Sequence, residues 1–253
     1  MIRKDAMINK LITLMSLISL FGCGPRTPRY PADTFTAPDG TDVTITFFAH
    51  ASLAVESHGK HIYIDPTEGA AEYGRLPKAD LVLVTHSHYD HLDRAAIDEL
   101  TTRQSTVVCD KTIAEAFDYE CVTMTPGMTT DPFAWLHIEA FPAYNTSEGH
   151  LQFHPRERED CGYLLTAGGL RIYIPGDTED TGELLSLRDV DILMLPVNQP
   201  YTMTVDQAVR VVKAVRPRVF YPIHYGQVDE KTDLDRLERE LSGITDVRIR
   251  PME

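Results

Sequence analysis

The chain has 253 residues, of which 43% are hydrophobic and 25% charged, and its formal net charge at pH 7 is -14. This length is enough for one domain with a substantial core. The acidity argues against nucleic acid as a partner and against tight contact with anionic lipid headgroups, because both would require positive charge on the protein.

The first 22 residues differ from the rest of the chain. Three basic residues precede an apolar stretch from Leu11 to Phe21, which is the arrangement of a secretory signal, and the stretch is too short to span a bilayer. We predict a signal peptide over residues 1–22. Its removal takes away three basic residues and one acidic residue, and so changes the net charge from -14 to -16.

The segment Leu20-Phe21-Gly22-Cys23 follows, and it resembles a bacterial lipobox, in which the cysteine is acylated and becomes the mature N-terminus. Acyl chains would anchor the protein in a membrane, since each buried methylene contributes roughly 0.8 kcal/mol. The residue after Cys23 is Gly24 and not the aspartate that retains many lipoproteins in the inner membrane. We therefore expect the protein to be anchored at the periplasmic face of the outer membrane. A simple secretory signal that leaves Cys23 free is the alternative.

Prolines recur between Gly24 and Pro38, which is typical of an extended linker. We therefore predict a lipidated tether over residues 23–40 and a single folded domain over residues 41–253. Three further cysteines, Cys109, Cys121 and Cys161, lie in that domain without C-x-x-C spacing. The sequence leaves open which pair, if any, forms a disulfide, and a buried free thiol is the alternative for each.

A β-hairpin is predicted early in the domain, because the runs Ser52 to Glu56 and Ile62 to Ile64 flank Gly59. Asp65 follows the second run directly. The next apolar run, Leu81 to Val84, is predicted to be a buried strand.

The stretch His86-Ser87-His88-Tyr89-Asp90-His91 places four potential metal ligands within six residues, straight after that buried strand. In an extended segment, residues two apart project to the same side, so His86 and His88 can bind one cation. A following turn can direct Asp90 and His91 at a second cation. A solvated histidine-rich loop without function is the alternative, which the acidic residue inside the cluster disfavours.

This His-x-His-x-Asp-His motif resembles the signature of the metallo-β-lactamase superfamily. The resemblance covers the chain from about Val43 to Arg250, and it implies an α+β fold, a four-layer αββα sandwich built from two similar halves. It also implies a cleft along the sandwich edge that holds one or two divalent metal ions, with zinc expected and manganese or iron as alternatives. The ligands would come from loops that follow several strands.

Later segments match further positions of the superfamily. Asp177, in the segment Gly176-Asp177-Thr178, resembles its bridging aspartate, and His224 resembles its last histidine. Taken alone, Asp177 would be a turn or helix-cap residue and His224 a half-buried residue at a strand end. The expected metal ligands are therefore His86, His88, Asp90, His91, Asp177 and His224, with Asn145 as a weak one.

Two residues are expected to support these ligands. Asp65 occupies the position in the first half that Asp177 occupies in the second, and the family resemblance makes it a carboxylate that orients a ligand. His50 resembles a recurrent position near the site and is expected to have an orienting or structural role.

Asn145 stands where the superfamily has its remaining histidine. An amide oxygen is a weaker donor to zinc than an imidazole, so the metal site that includes Asn145 is expected to bind its ion less tightly than the other. His150 or His154, in the loop that follows, can substitute for that histidine. The alternative we favour is that this loop forms a wall of the cleft, where Tyr144, His154 and Arg156 contact the substrate and the arginine meets an anionic group.

The second half of the chain repeats the order of elements. The runs Tyr163 to Thr166 and Ile172 to Ile174 flank Gly169 as a second predicted hairpin. An acidic residue and a buried strand, over residues 190–195, then follow as in the first half, which indicates an ancient duplication. Helices are predicted over Asp93–Leu100, Val205–Val215 and Leu234–Leu241.

The site suggests hydrolysis, because a divalent cation with an open position makes water available as a nucleophile near neutral pH. Asp90 is expected to orient this water and to receive its proton. The Tyr-Asn segment, the Gly-Asp-Thr segment and the late Pro-Ile-His-Tyr segment resemble a branch of the superfamily that includes sugar-phosphate lactonases and a phospholipase D that hydrolyses N-acylphosphatidylethanolamine.

We therefore expect a hydrolase that acts on an ester, lactone or phosphodiester bond of a small molecule or lipid, such as a phospholipid or a sugar phosphate. A metal-binding lipoprotein with a degenerate, non-catalytic site is one alternative. A di-iron redox protein is another, and it would need a flavin domain or partner.

Overall fold

The computed structural model describes residues 29–116, 121–226 and 231–252. The predicted signal peptide and Cys23 lie outside these residues. None of the helices within these ranges is long and apolar enough to cross a membrane.

Two seven-stranded sheets form the body of the domain. The first sheet contains, in spatial order, β1 (Ala32–Thr36), β2 (Asp42–Phe47), β3 (Leu53–Ser57), β4 (Lys60–Ile64), β5 (Leu81–Val84), β6 (Thr106–Asp110) and β7 (Val122–Met124). The second contains β8 (Thr129–Phe133), β9 (Leu136–Pro142), β10 (Cys161–Ala167), β11 (Leu170–Ile174), β12 (Ile192–Pro196), β13 (Val219–Ile223) and β14 (Asp246–Val247), also in sequential order.

The two sheets have the same strand order and the same directions. In each, the first four strands are antiparallel neighbours, and the fourth to seventh strands are parallel neighbours. Both predicted hairpins are present, as β3–β4 and β10–β11. The repeat that the sequence predicts is therefore a repeat of topology, in which β4, β5 and β6 correspond to β11, β12 and β13.

The helices lie along the chain as α1 (Arg94–Leu100), α2 (Lys111–Ala116), α3 (Gly182–Leu185), α4 (Val205–Val215) and α5 (Leu234–Leu241). The three predicted helices are confirmed as α1, α4 and α5. Helix α1 begins one residue later than predicted because Asp93 is its N-cap, where the carboxylate accepts from the backbone N–H groups of Ala95 and Ala96. Helix α4 begins with a capping box between Thr204 and Gln207.

Strand β5 shows how the sequence specifies the layers. All four of its residues are buried, but Leu81 and Leu83 join the core shared by both sheets, whereas Val82 and Val84 join a second apolar cluster with residues of α1 and α2. A parallel strand covered on both faces needs a continuous apolar run. The predicted αββα sandwich is confirmed.

The predicted tether extends too far into the chain. Residues Ala32–Thr36 form strand β1, which pairs with β2 along its whole length. Asp33 in this strand also accepts hydrogen bonds from Tyr221 and Arg250, which fixes β1 to the second half. The proline-rich composition hid the strand, because Pro31 and Pro38 flank the ladder without interrupting it and a half-exposed edge strand lacks a strong apolar pattern.

A disulfide joins Cys109, the penultimate residue of β6, to Cys121, just before β7. This settles the pairing that the sequence left open. Cys161 at the start of β10 is a buried free thiol, and burial raises its pKa well above the ordinary value.

Candidate metal centre

Ionisable side chains collect where the strands of both sheets end. Asp65 follows β4, the stretch from His86 to His91 follows β5, Asp177 follows β11 and His224 follows β13. Because the carboxyl ends of parallel strands meet at one edge of a sheet, residues far apart in sequence come together there. His50, in the turn between β2 and β3, joins them.

One group of three imidazoles consists of His86, His88 and His154. The Nδ1 atom of His88 lies 3.1 Å from Nε2 of His86 and 3.2 Å from Nε2 of His154. Three ring nitrogens therefore face one another at one point. This is the arrangement of a three-histidine metal site.

A second group consists of His50, Asp90, His91 and His224. The Nε2 atoms of His91 and His224 lie 3.0 Å apart. Oδ2 of Asp90 lies 3.0 Å from Nε2 of His50 and 3.6 Å from Nε2 of His224.

Asp177 lies between the two groups. Its Oδ1 atom is 3.2 Å from Nε2 of both His91 and His224, and its Oδ2 atom is 3.3 Å from Nε2 of His154. Oδ1 is buried, yet it accepts no hydrogen bond of acceptable geometry from any described residue. A buried carboxylate oxygen at contact distance from two imidazoles, without a hydrogen bond, suits a cation at that position.

The imidazoles of the first group carry no charge near neutral pH. Burial lowers the pKa of His88 to about 4 and the pKa of His86 well below its ordinary value. Burial lowers the pKa of His154 as well. Metal ions bind the neutral imidazole, so these residues are already in the ligating form.

The second group is arranged to hold positive charge. Burial opposes a charge on His91, but the carboxylates of Asp177 and Asp65 outweigh it and raise the pKa of His91 well above its ordinary value. Burial likewise opposes the charges of Asp90 and Asp177, and the surrounding histidines nevertheless lower the pKa of both carboxyls. The position between these carboxylates therefore favours a cation, and the donor set fits a divalent metal ion.

Asp65 is buried beside this group. Its carboxylate contacts Nδ1 of the candidate ligand His91, the ring nitrogen that does not face the other donors. Its Oδ2 atom lies 2.9 Å from Nδ1 of His91, and it also accepts from the hydroxyl of Thr85, whose backbone N–H donates to Oδ1. A carboxylate on Nδ1 directs Nε2 of His91 toward Asp177 and His224. This contact agrees with the orienting role that the family resemblance implies for Asp65.

The backbone at the site is strained. His50, Asp65 and His224 have φ values of 57°, 44° and 54°, in the left-handed region that non-glycine residues rarely adopt. Gly176, with φ of 62°, precedes Asp177, and a Cβ atom there would lie 3.0 Å from the carbonyl oxygen of Cys161. Glycine is thus required for the close approach that aims Asp177 inward.

In the loop before β10, His154 supplies the third ring nitrogen of the first group. The side-chain N–H group of Asn145 donates to the carbonyl oxygens of His150 and Tyr201, and its Oδ1 atom is buried without a hydrogen bond from any described residue. The substitution by His154 was the less favoured of the two sequence interpretations. The position of His154 depends on the conformation of this loop, which rests on contacts distant in sequence.

Glu179 makes such contacts with the loop, and the sequence analysis did not identify this residue. The side chain is fully buried, and Oε2 accepts from the backbone N–H groups of Thr146 and Ser147, while Oε1 lies 3.3 Å from Nδ1 of His150. It follows Asp177 by two residues. The available signal in the sequence was an acidic residue two positions after a candidate ligand, in a segment without apolar periodicity.

Two of the three residues predicted to contact substrate are directed elsewhere. Arg156 binds Glu183 at 2.8 Å and stacks over the ring of Tyr144, whose hydroxyl donates to the same Glu183. Neither residue lines the cleft at the site, whereas the third predicted residue, His154, does.

Arg158 links the site to a buried acidic pair. Its guanidinium contacts His88 and pairs with Asp160 at 3.1 Å. Burial and the neighbouring Asp110 raise the pKa of Asp160 to about 7 in spite of the arginine. Burial raises the pKa of Asp110 as well, so the two carboxyls at the junction of the two halves disfavour ionisation of both at once.

A cleft of about 560 Å³ opens over the candidate metal centre. It is lined by His50, His88, Tyr89, Asp90, Gln152, Phe153, His154, Asp177, Asn198, Tyr201 and His224. Asn198 was not predicted from the sequence. It follows β12, the counterpart of β5, so the repeat itself was the signal that could have identified it.

Residues 44–224 match the β-lactamase superfamily domain. The UPF0173 metal-dependent hydrolase of Thermococcus kodakarensis is 31% identical over 197 residues, which cover 72% of this chain and 84% of that protein. A similar protein of Carboxydothermus hydrogenoformans is 29% identical over 200 residues, with the same coverage of both chains.

Solved structures show the same relationship. A protein of Parabacteroides distasonis described as a metal-dependent hydrolase is 40% identical, has a TM-score of 0.84, and is matched over 89% of this chain and 100% of its own. Igni18, a metallo hydrolase of Ignicoccus hospitalis, shares the fold at 24% identity and a TM-score of 0.68, over 83% of this chain and 95% of its own. The chain belongs to the β-lactamase superfamily, among its UPF0173 metal-dependent hydrolases.

Proposed function

We propose that this protein is a hydrolase with two divalent cations, most simply zinc. His86, His88 and His154 hold one ion, His91, His224 and Asp90 hold the other, and Asp177 lies between them. One observation carries the proposal: two groups of donor atoms face each other across a buried carboxylate at the floor of an open cleft.

A divalent cation in such a site lowers the pKa of water toward neutrality and polarises the bond to be broken. The side chains of the protein position the reacting groups. Asp90 lines the cleft, and its low pKa keeps the carboxylate ionised, so it orients the attacking water by accepting a hydrogen bond. This favours an orienting role for Asp90 over that of a group that retains the proton.

The proposed reaction is hydrolysis of an ester, lactone or phosphodiester bond. A cleft of about 560 Å³ is the size of a small-molecule site. A degenerate, non-catalytic site is disfavoured, because His154 supplies the imidazole that Asn145 lacks and the first group is complete.

The test is hydrolysis by protein that has been stripped with a chelator and reloaded with zinc, manganese or iron. We expect activity on at least one of three substrate types, an acyl ester, a lactone or a phosphodiester, and loss of it on stripping. Metal-loaded protein that hydrolyses none of them would contradict the proposal. Redox activity with a bound di-iron pair would favour the alternative of a redox protein.

We also propose that the protein is an exported lipoprotein, acylated at Cys23 and facing the periplasm from the outer membrane. The support is the basic and apolar N-terminal sequence and the segment Leu20-Phe21-Gly22-Cys23. Because β1 begins at Ala32, the segment between the acylated Cys23 and the folded domain can extend at most ~30 Å. Labelling with a fatty acid, compared between the natural protein and Cys23→Ser, tests this: label in both or in neither contradicts acylation at this residue.

A further inference from the structure

The wall of the cleft is aromatic. Tyr89 is 89% exposed, and Tyr201 is 39% exposed and packs edge to face on Phe153, with ring centroids 4.9 Å apart. Among the described residues, five large apolar side chains are exposed, and two of them, Tyr89 and Tyr201, line this cleft. A third, Leu151, is adjacent in sequence to the lining residue Gln152. Exposed apolar side chains concentrated at one place mark a binding surface.

Apart from the candidate metal centre, the described lining of the cleft offers no cationic side chain of lysine or arginine to an anionic substituent. Arg156 pairs with Glu183 and Arg158 with Asp160, so the two nearby guanidinium groups already have carboxyl partners. A phosphate or carboxylate group on a part of the substrate remote from the metal centre would have to leave water without a charge-assisted hydrogen bond from the protein, which is unfavourable.

A buried neutral amide also lines the cleft. Asn198 lines it and is 4% exposed, and its Oδ1 atom is buried without a hydrogen bond from any described residue. A buried amide left without a partner is costly unless a ligand supplies one. Since the two ends of an amide can exchange places, Asn198 can donate to a carbonyl oxygen or accept from a hydroxyl.

We infer that the substrate is a carboxylic ester or lactone whose substituent is uncharged and apolar. Tyr89 and the pair of Phe153 and Tyr201 contact the apolar part, and Asn198 binds a neutral polar group next to the bond. Water adds its oxygen to the acyl carbon, the acyl C–O bond breaks, and the leaving oxygen takes a proton, which yields a carboxylic acid and an alcohol. The inference rests on the proposed function and selects among its substrates.

The first experiment measures kcat/KM of zinc-loaded protein, divided by the uncatalysed rate constant, for 4-nitrophenyl acetate, butyrate and hexanoate and for bis(4-nitrophenyl) phosphate. We expect an increase of about tenfold or more from acetate to hexanoate, because each buried methylene favours binding. The phosphodiester is expected to rank last. A flat or falling chain-length profile, or preference for the phosphodiester, would overturn the inference.

The second experiment locates the apolar contact. Tyr89→Ala and Tyr201→Ala are each expected to lower the ratio of hexanoate to acetate activity by about threefold to tenfold, whereas Tyr89→Phe keeps that ratio. Val122→Ala, which shortens an exposed apolar side chain on β7 away from the cleft, is the matched control and leaves the ratio unchanged. Equal ratios in all four variants would overturn the assignment of the aromatic wall.

Different results would contradict the proposed function and the inference about its substrate. If protein that holds its metal hydrolyses none of these substrates, the proposed function and this inference both fail. If it hydrolyses the phosphodiester in preference to the esters, only this inference fails. Metal content is measured in every sample, and circular dichroism confirms that each variant is folded.

Discussion

The two halves of the molecule have the same strand order but contribute to the site in different ways. The first half places most of its donors in one loop after β5, from His86 to His91. The second half contributes single residues from separate loops: His154 before β10, Asp177 after β11 and His224 after β13. A duplicated topology brings the strand ends together, but it does not fix which chemistry each end carries.

Removal of Asp177 should have the largest effect, because it is the second-half residue that touches both groups of donors. Asp177→Asn is expected to lower kcat/KM by roughly 1000-fold, since a cation position loses its charged neighbour. Metal content should fall in parallel, as measured by elemental analysis. Asp131→Asn, an exposed carboxylate distant from the site, is the control. Full metal content in the Asp177 variant would show that the two groups do not depend on it.

The contribution of the loop before β10 can be separated residue by residue. His154→Ala is expected to weaken metal binding at the first group by roughly 100-fold, because one of three imidazoles is lost. Asn145→Ala should change the affinity much less, since its side-chain N–H group donates to loop carbonyls and an amide oxygen is a weaker donor to zinc than an imidazole. Titration of metal-free protein with zinc distinguishes them. The reverse order of effects would restore Asn145 as the ligand.

The halves also differ in covalent support, since only the first has a disulfide among the described residues. Cys121→Ser is expected to lower the free energy of unfolding by about 2–3 kcal/mol, because the closed segment of 12 residues restricts the unfolded chain. Denaturant unfolding measures this, and dithiothreitol should reduce the natural protein to the same stability. A difference that persists under reducing conditions would mean that packing of the side chain, not the bond, is responsible.

The junction of the halves should respond to pH. An aspartate in an unfolded chain ionises near pH 4, whereas the pKa of Asp160 in the folded protein is about 7. The folded state then binds the proton more tightly, so this residue makes stability fall as pH rises from about 4 to about 7. Asp160→Asn should remove that slope and be more stable above pH 7 by roughly 2 kcal/mol. Parallel stability curves for both proteins would contradict the raised pKa.

Predictability from sequence followed the same division between the halves. The metal-ligand loop after β5 could be predicted because its donors are close together in sequence. Strand β5 could be predicted because both of its faces are buried, which requires a continuous apolar run. His154 was expected to contact substrate rather than metal, because the conformation of the loop from Ala143 to Asp160 depends on Glu179, which contacts Thr146 across more than 30 residues. Strand β1 was missed because its pairing with β2 and Asp33's contacts outweigh its composition.

Direct measurement of metal binding tests the central claim that distant segments converge on one metal centre. Chelator-treated protein titrated with zinc in a calorimeter should bind two ions per chain. His88→Ala should weaken one binding event and His224→Ala the other. No binding by the natural protein, or unchanged binding in the His224 variant, would contradict the account.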